Sequence, residues 1–524
     1  MTPSLFLDAN ATTPCCPAAR AAALRLMEQC FGNPSSSHSE GLRARHELER
    51  ARRAARQAIG AGTGRCIFTS GATEAIHTAV FSALLSLRQR REAGQAIAPL
   101  LLVGATEHKA VLQAVSHWNE ALGLNLEVRL LPVDAQGRHE LARLREWLPQ
   151  TALLCTMAAN NETGVISDIA GIEALLRAAQ SPALWLVDSV QALGKLALNL
   201  DATRIDYASF SGHKLYAPKG VGLLYVREGS PYHPLMVGGG QESEQRSGTE
   251  NLPGIAGFGA VFEALNEGRL FASADRLEGY RRDLVAALNE AFPGLEFNAP
   301  LDLCLPTTLN FALPGASSKQ LMNLLDASGV QVSAGSACSA GKAAGSHVLD
   351  AMARPDWASR GAIRLSFGPM DEPEFIAQCC AALRRAGEVW ARLSEDCKTA
   401  EAGAALLSPT EDSAEDCIDL GWQDLAQHLR QQPETLLIDV REAYEQQAGL
   451  LPCALSELPQ LHLPLSRFAQ ALTSRPELMQ RPVLLLCRSG KRSREAALHL
   501  LALGHGAVWQ LAGGLALCPR PQPA

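Results

Sequence analysis

Leu184-Trp185-Leu186-Val187-Asp188-Ser189-Val190-Gln191 is an apolar run that stops on a carboxylate. An unbroken run of this length suits a strand covered on both faces, and such strands are typical of parallel sheets. Similar runs stand on either side, at Pro99-Leu100-Leu101-Leu102-Val103 and Thr151-Ala152-Leu153-Leu154-Cys155. From about Ile59 to Val226 they alternate with helical stretches and end in polar or Gly-rich turns. That alternation predicts a large α/β domain with a mainly parallel sheet. In such sheets ligands lie beyond the carboxyl ends of the strands. The polar residues that follow each run are therefore where chemistry is expected.

The chain has 524 residues, 47% of them hydrophobic and 19% charged, which describes a globular protein too long for one ordinary core. A net charge of -7 argues against a general nucleic-acid surface. The N-terminus shows no basic region followed by an apolar stretch, and the best candidates for the ~20 apolar residues of a membrane span are interrupted, as Leu500 to Leu517 is by His505 and Gln510. A cytoplasmic protein is expected. Its 14 cysteines include no Cys-x-x-Cys spacing, so most, including Cys15-Cys16 and Cys379-Cys380, are expected to be buried small hydrophobes. Cys338 and Cys487 differ because of their surroundings. Between Ser394 and Asp416, acids crowd among Ala, Ser and Thr and apolar periodicity fades. The reading is a first domain over 1–390, a linker over 391–416 and a smaller α/β domain over 417–524.

Three strand-end motifs fit one another. Phe68-Thr69-Ser70-Gly71-Ala72-Thr73-Glu74 turns from a strand through Gly into a helix, whose first N–H groups and Thr73 hydroxyl can cradle a phosphate. An ordinary helix cap would read the same way. Asp188 can hold a pyridine nitrogen protonated, though a helix cap again suits it. In Ser209-Phe210-Ser211-Gly212-His213-Lys214, the lysine can form a Schiff base with an aldehyde cofactor, although most lysines are merely solvated. Together the set points to pyridoxal 5'-phosphate.

From about Leu7 to Leu383 the chain resembles cysteine desulfurases of the NifS/IscS type, class V aminotransferases with the fold type I of pyridoxal-phosphate enzymes. The resemblance is carried by Leu7-Asp8-Ala9-Asn10-Ala11-Thr12-Thr13-Pro14, Thr106-Glu107-His108-Lys109-Ala110-Val111 and Asn160-Asn161-Glu162-Thr163-Gly164. It extends to Arg246-Ser247-Gly248-Thr249-Glu250-Asn251 and Ser333-Ala334-Gly335-Ser336-Ala337-Cys338. It implies that Lys214 carries the cofactor, Asp188 faces the pyridine nitrogen, and Gln191 and Asn161 contact the phenolic oxygen. Thr73, Ser211 and His213 would hold the phosphate, joined by Thr249 from the partner subunit of a homodimer. His108 would lie against the ring and assist proton transfer, and Arg364 would grip the carboxylate of the substrate, L-cysteine. Cys338, among small residues that predict a mobile loop, would attack the substrate sulfur, leaving alanine and a persulfide. His77 stands where the family usually has Asn, and is left outside the site.

From about Ile418 to Leu515 the chain resembles a single-domain rhodanese. Leu437-Ile438-Asp439-Val440-Arg441-Glu442 and Leu486-Cys487-Arg488-Ser489-Gly490-Lys491-Arg492-Ser493 carry the likeness. Cys487 ends a strand, and a helix is expected from about Ser493. Loop N–H groups with Arg488, Lys491 and Arg492 are expected to favour a thiolate or persulfide. Four residues separate Cys487 from Arg492, the shorter loop that suits sulfur transfer; related phosphatases use a longer one. The stretch Gly449-Leu450-Leu451-Pro452-Cys453-Ala454 departs from the family pattern and precedes a short insertion. The implied activity is a desulfurase that relays sulfur from Cys338 to Cys487 and on to a protein or small-molecule acceptor. The alternative is a selenocysteine lyase or another β-elimination enzyme whose second domain only docks an acceptor.

Overall fold

The computed structural model describes residues 5–268, 270–335, 345–393 and 419–519. Cys338 and the acidic linker expected over 391–416 fall wholly or mostly outside the described residues.

The first unit is organised around a seven-stranded sheet. Its spatial order is Arg65–Thr69, Gly222–Val226, Tyr207–Ser211, Leu184–Asp188, Thr151–Met157, Leu100–Gly104 and Glu127–Leu131. The strands from Tyr207–Ser211 to Glu127–Leu131 pair in parallel. Gly222–Val226 runs against both of its neighbours, so the sheet is mixed at that end.

Alternation of side chains explains the unbroken apolar runs. Leu100 and Leu102 enter the hydrophobic core on one face, together with Leu154, Trp185 and Val187. Leu101 and Val103 enter the other, with Leu153, Cys155 and Leu186. Because both faces are covered, neither parity of a strand is free to be polar. The helix Ala72–Glu92 covers the second face with Ala75, Ile76, Ala79, Val80, Ala83, Leu84 and Leu87, the stripe that a 3.6-residue period places on one side.

A smaller antiparallel sheet follows, in the order Ser333–Ala334, Ile363–Ser366, Thr308–Ala312 and Glu296–Phe297. Leu5–Phe6 pairs in parallel with Val330–Gln331, and Asp8 bridges to Ser366. That pairing lays the segment Asp8–Thr13 along the cavity described below. Of the adjacent cysteine pairs, Cys16, Cys379 and Cys380 are buried and Cys15 half-buried.

The second unit is a five-stranded parallel sheet ordered Asp419–Leu420, Val508–Leu511, Val483–Leu486, Leu436–Asp439 and Gln460–His462. The stretch that departs from the rhodanese pattern forms a short helix, Cys453–Ser456, leading into the edge strand Gln460–His462. The units meet where Tyr444, on the helix Ala443–Ala448, buries its ring in the core of the small sheet of the first. Arg488 reaches Asp326 of the helix Ser318–Ala327 at 3.4 Å. Among the described residues no helix is long and apolar enough to cross a membrane.

Candidate active site

A cavity of about 650 Å³ opens at the carboxyl ends of the large sheet. It is lined by Thr73, His108, Asn161, Asp188 and Gln191. Ser211, His213, Lys214 and Arg364 complete the set that the sequence brought forward from both sheets. Thr249 is exposed and is not part of this lining.

At one end of the cavity the helix Ala72–Glu92 begins at Gly71, with no side chain capping it. Its first N–H groups have no intrahelical partners, and the positive end of the helix dipole faces the same way. This removes the ordinary-cap reading of the motif. The helix start lies close to the sheet because position 222 is Gly. A Cβ there would meet the Gly71 backbone at 2.6 Å and the Phe210 carbonyl at 2.7 Å.

Lys214 donates from Nζ to the Asn10 and Ala11 carbonyl oxygens, each at 2.7 Å. His213 Nδ1 is 3.1 Å from the Thr12 hydroxyl. Burial pulls His213 down to about 4, and Lys214 and Lys219 add to that shift. Asp188 accepts from the Val190 N–H at 3.0 Å and the Ser209 hydroxyl at 3.3 Å. Burial pushes its carboxyl above the usual range, against the pull of those donors and of His108 and Lys214. His108 caps the helix Lys109–Ala121, with Nδ1 accepting from the Ala110 N–H at 3.2 Å. Its neutral form therefore carries the proton on Nε2. Burial lowers its pKa, and Asp188 opposes that.

Arg364 lies on the strand Ile363–Ser366 and is buried. It donates from Nη2 to Asp8 Oδ1 at 2.7 Å and from Nη1 to the Asn161 carbonyl at 3.0 Å. Its Nε has no hydrogen-bond partner among the described residues. Uncapped helix N–H groups, an amine, a buried carboxylate and a buried guanidinium fit a phosphorylated pyridine aldehyde and an amino-acid substrate.

Four further residues belong to this region and were not singled out from sequence. Asn10 links Lys214, Gln191, Thr308 and Asn161. Lys195 donates to Gln191 and Asn10. His347 lines the cavity with Nε2 3.1 Å from the Glu107 carbonyl. Glu107 is buried with neither carboxylate oxygen partnered among the described residues, and burial raises its pKa well above the ordinary value, with Asp188 adding to the rise. Asn10, Glu107 and their neighbours sat inside motifs already quoted; only geometry distinguishes them. His77 lies outside the cavity, where its Nδ1 accepts the Trp118 indole N–H at 3.2 Å. It makes a polar contact between two helices.

In the second unit Cys487 follows the strand Val483–Leu486 and is fully buried. Its Sγ accepts from the N–H of Gly490 at 3.1 Å and of Ser493 at 3.4 Å. The helix begins at Lys491, two positions before the expected Ser493. Gly514 closes over this loop with φ at +56°, and a Cβ there would lie 2.2 Å from the Cys487 carbonyl oxygen. The basic residues of the loop also have carboxylate partners, and, against the lowering effect of burial, Cys487 is among the groups that raise the Arg492 pKa. Arg492 makes a two-point ion pair with buried Glu445, and Arg488 turns to Asp326. Among the described residues, the groups in hydrogen-bond contact with the sulfur are the Gly490 and Ser493 N–H groups and the Ser493 hydroxyl.

The description "Aminotransferase class-V" matches residues 5–378, and "Rhodanese-like domain" matches residues 422–517. A protein named cysteine desulfurase from Cereibacter sphaeroides is 40% identical over 367 residues, covering 69% of this chain and 90% of that protein. "Cysteine desulfurase IscS" from Dictyoglomus turgidum is 35% identical over 366 residues, covering 70% and 89%. Among solved structures, a NifS-like protein superimposes with a TM-score of 0.66 at 32% identity, covering 74% of this chain and all of the other. These relatives match the first unit, and the rhodanese match lies beyond them. Fold, site geometry and likeness agree: the chain belongs to the class-V aminotransferase family, among the cysteine desulfurases, and carries a rhodanese-like domain after its catalytic unit.

Proposed function

We propose that this protein binds pyridoxal 5'-phosphate on Lys214, takes sulfur from L-cysteine to leave L-alanine, and passes that sulfur from Cys338 to Cys487. One observation carries the reading. Lys214, Asp188, Arg364 and an uncapped helix start converge on a single cavity at the sheet's carboxyl ends.

Bound pyridoxal phosphate supplies a sink for the charge that develops at the substrate Cα. Arg364 holds the substrate carboxylate and so fixes which bond faces Lys214. The Lys214 amine takes the Cα proton, Asp188 keeps the pyridine nitrogen protonated, and His108 offers the proton on Nε2. The Cys338 thiolate attacks the substrate sulfur. The new S–S bond forms as the C–S bond breaks, and its electron pair stays with the carbon that becomes the alanine methyl. Once its loop opens to expose the buried sulfur, Cys487 attacks the outer sulfur and Cys338 leaves as thiolate, which balances the transfer. The Gly490 and Ser493 N–H groups stabilise negative charge at the receiver.

Exposed Phe31 and Val237 supply apolar surface suited to the homodimer in which Thr249 reaches a neighbouring cavity. Free cysteines throughout the described residues suit a reducing cytoplasm.

The test is mass spectrometry of the full chain after one turnover with cysteine and the cofactor. Wild type is expected to carry an extra sulfur on both cysteines. Cys487→Ser is expected to retain it on Cys338 with alanine formation unchanged. Lys214→Ala is expected to lose the borohydride-reducible lysine–cofactor bond. Unchanged delivery to acceptors by Cys487→Ser rejects the relay, and a wild type that takes up no cofactor rejects the whole reading.

A further inference from the structure

Lys195 stands four residues beyond Gln191, where the chain turns after the strand Leu184–Asp188. Its Nζ is 2.8 Å from Gln191 Oε1 and 3.1 Å from Asn10 Oδ1. An ammonium group donates and cannot accept. Both amides must therefore turn their oxygens toward it. Gln191 is left with Nε2 on the other side, donating to the Asn10 carbonyl at 3.2 Å, the same oxygen that Lys214 contacts at 2.7 Å. Asn10 is likewise left with Nδ2 facing the Thr308 hydroxyl at 2.9 Å and the Asn161 carbonyl at 3.3 Å. One cation thus sets the sense of two amides, from segments 181 residues apart, at the wall of the cavity.

We infer that Lys195 is a positioning residue, which holds Gln191 with its amide N–H toward the phenolic oxygen of the cofactor and keeps the amide oxygen away from it. This deepens the proposed function, since it rests on pyridoxal phosphate occupying the cavity. The reasoning is steric and electrostatic. A glutamine amide can rotate by half a turn at little cost, and the rotated form would set oxygen against a phenolate. A donor fixed behind Oε1 removes that alternative. Lys195 also stands near Lys214 and Arg364; burial, with those two cations, lowers it to about 7. The protonated form enforces this orientation; once the proton is lost the amine can also accept, so the constraint weakens as pH rises through that value. Asp8, paired with Arg364, is the carboxylate on the facing segment.

The experiment uses the full chain freed of cofactor and titrated with pyridoxal phosphate. Its readouts are the dissociation constant and the pH midpoint of the visible band. Lys195→Met is expected to weaken binding about tenfold, the worth of a charged hydrogen bond. Removing a cation from beside Lys214 is expected to move the band's midpoint upward. Lys195→Gln, whose amide can still donate to Gln191, is expected to recover affinity to within about threefold of wild type. In a Gln191→Ala background, Lys195→Met is expected to cost less than about twofold, because its effect passes through Gln191. Should the Met variant fail to fold, Lys195→Ala takes its place in the same cycle. Equal penalties in both backgrounds, or a Met variant indistinguishable from wild type, overturn the inference. In either case wild-type binding keeps the cofactor reading intact. A wild type that binds no pyridoxal phosphate overturns both.

Discussion

Arg492 and Glu445 face each other fork to fork, with Nη1–Oε2 and Nη2–Oε1 both at 2.6 Å. Glu445 is almost fully enclosed, and it also accepts the Glu442 N–H at 3.0 Å. The pair ties the loop after Cys487 to the helix Ala443–Ala448, which carries an apolar contact between the two units.

Removing one member of a buried pair leaves the other charge uncompensated. Glu445→Ala is therefore expected to destabilise the second unit by about 3–5 kcal/mol. Hydrogen exchange reads this locally. Amides of Val483–Leu486 should lose protection while those of Leu184–Asp188 keep theirs. A loss below about 1 kcal/mol would show that the pair is not what holds the loop.

Arg364 already spends two nitrogens on Asp8 and Asn161, leaving Nε unpartnered. A planar fork can meet a carboxylate and keep these ties, whereas an ammonium cannot. Arg364→Lys is expected to raise KM for L-cysteine about tenfold or more, with the visible band of the bound cofactor retained. An unchanged KM would move carboxylate recognition to another residue.

His139 is buried with both ring nitrogens unpartnered among the described residues, and burial depresses it to about 4. An unfolded histidine titrates near 6.5. Between those values the unfolded chain binds the extra proton, so stability rises with pH and is lost as pH falls from about 6.5 to about 4. The loss amounts to about 3 kcal/mol. Glu107, raised by burial, contributes a slope of the opposite sign above its unfolded value. Urea unfolding of wild type against His139→Leu isolates the histidine contribution, and the variant should show the shallower acid limb. Parallel pH profiles would refute it.

What the sequence made legible follows from locality. Asp188 was found because it ends a strand that is apolar on both faces, and Lys214 because it stands beside a glycine turn just past a strand, while Ser211 came with the family resemblance. Lys195 escaped notice because its meaning depends on Asn10, which is brought to it by long-range pairings such as Leu5–Phe6 with Val330–Gln331 and Asp8 with Ser366. The same limit hid the partners of Arg488 and Arg492. Their positive charge was visible, but Asp326 and Glu445, which engage it, are distant in sequence. The antiparallel strand Gly222–Val226 was equally hidden, since a buried run does not declare its direction.

The enclosure of Cys487 has a chemical consequence of its own. Peroxide oxidises thiols according to thiolate character and access, and this sulfur presents no surface. The same enclosure means that the loop must open before a donor sulfur can reach it. At rest, the second unit's thiol is thereby shielded from irreversible oxidation.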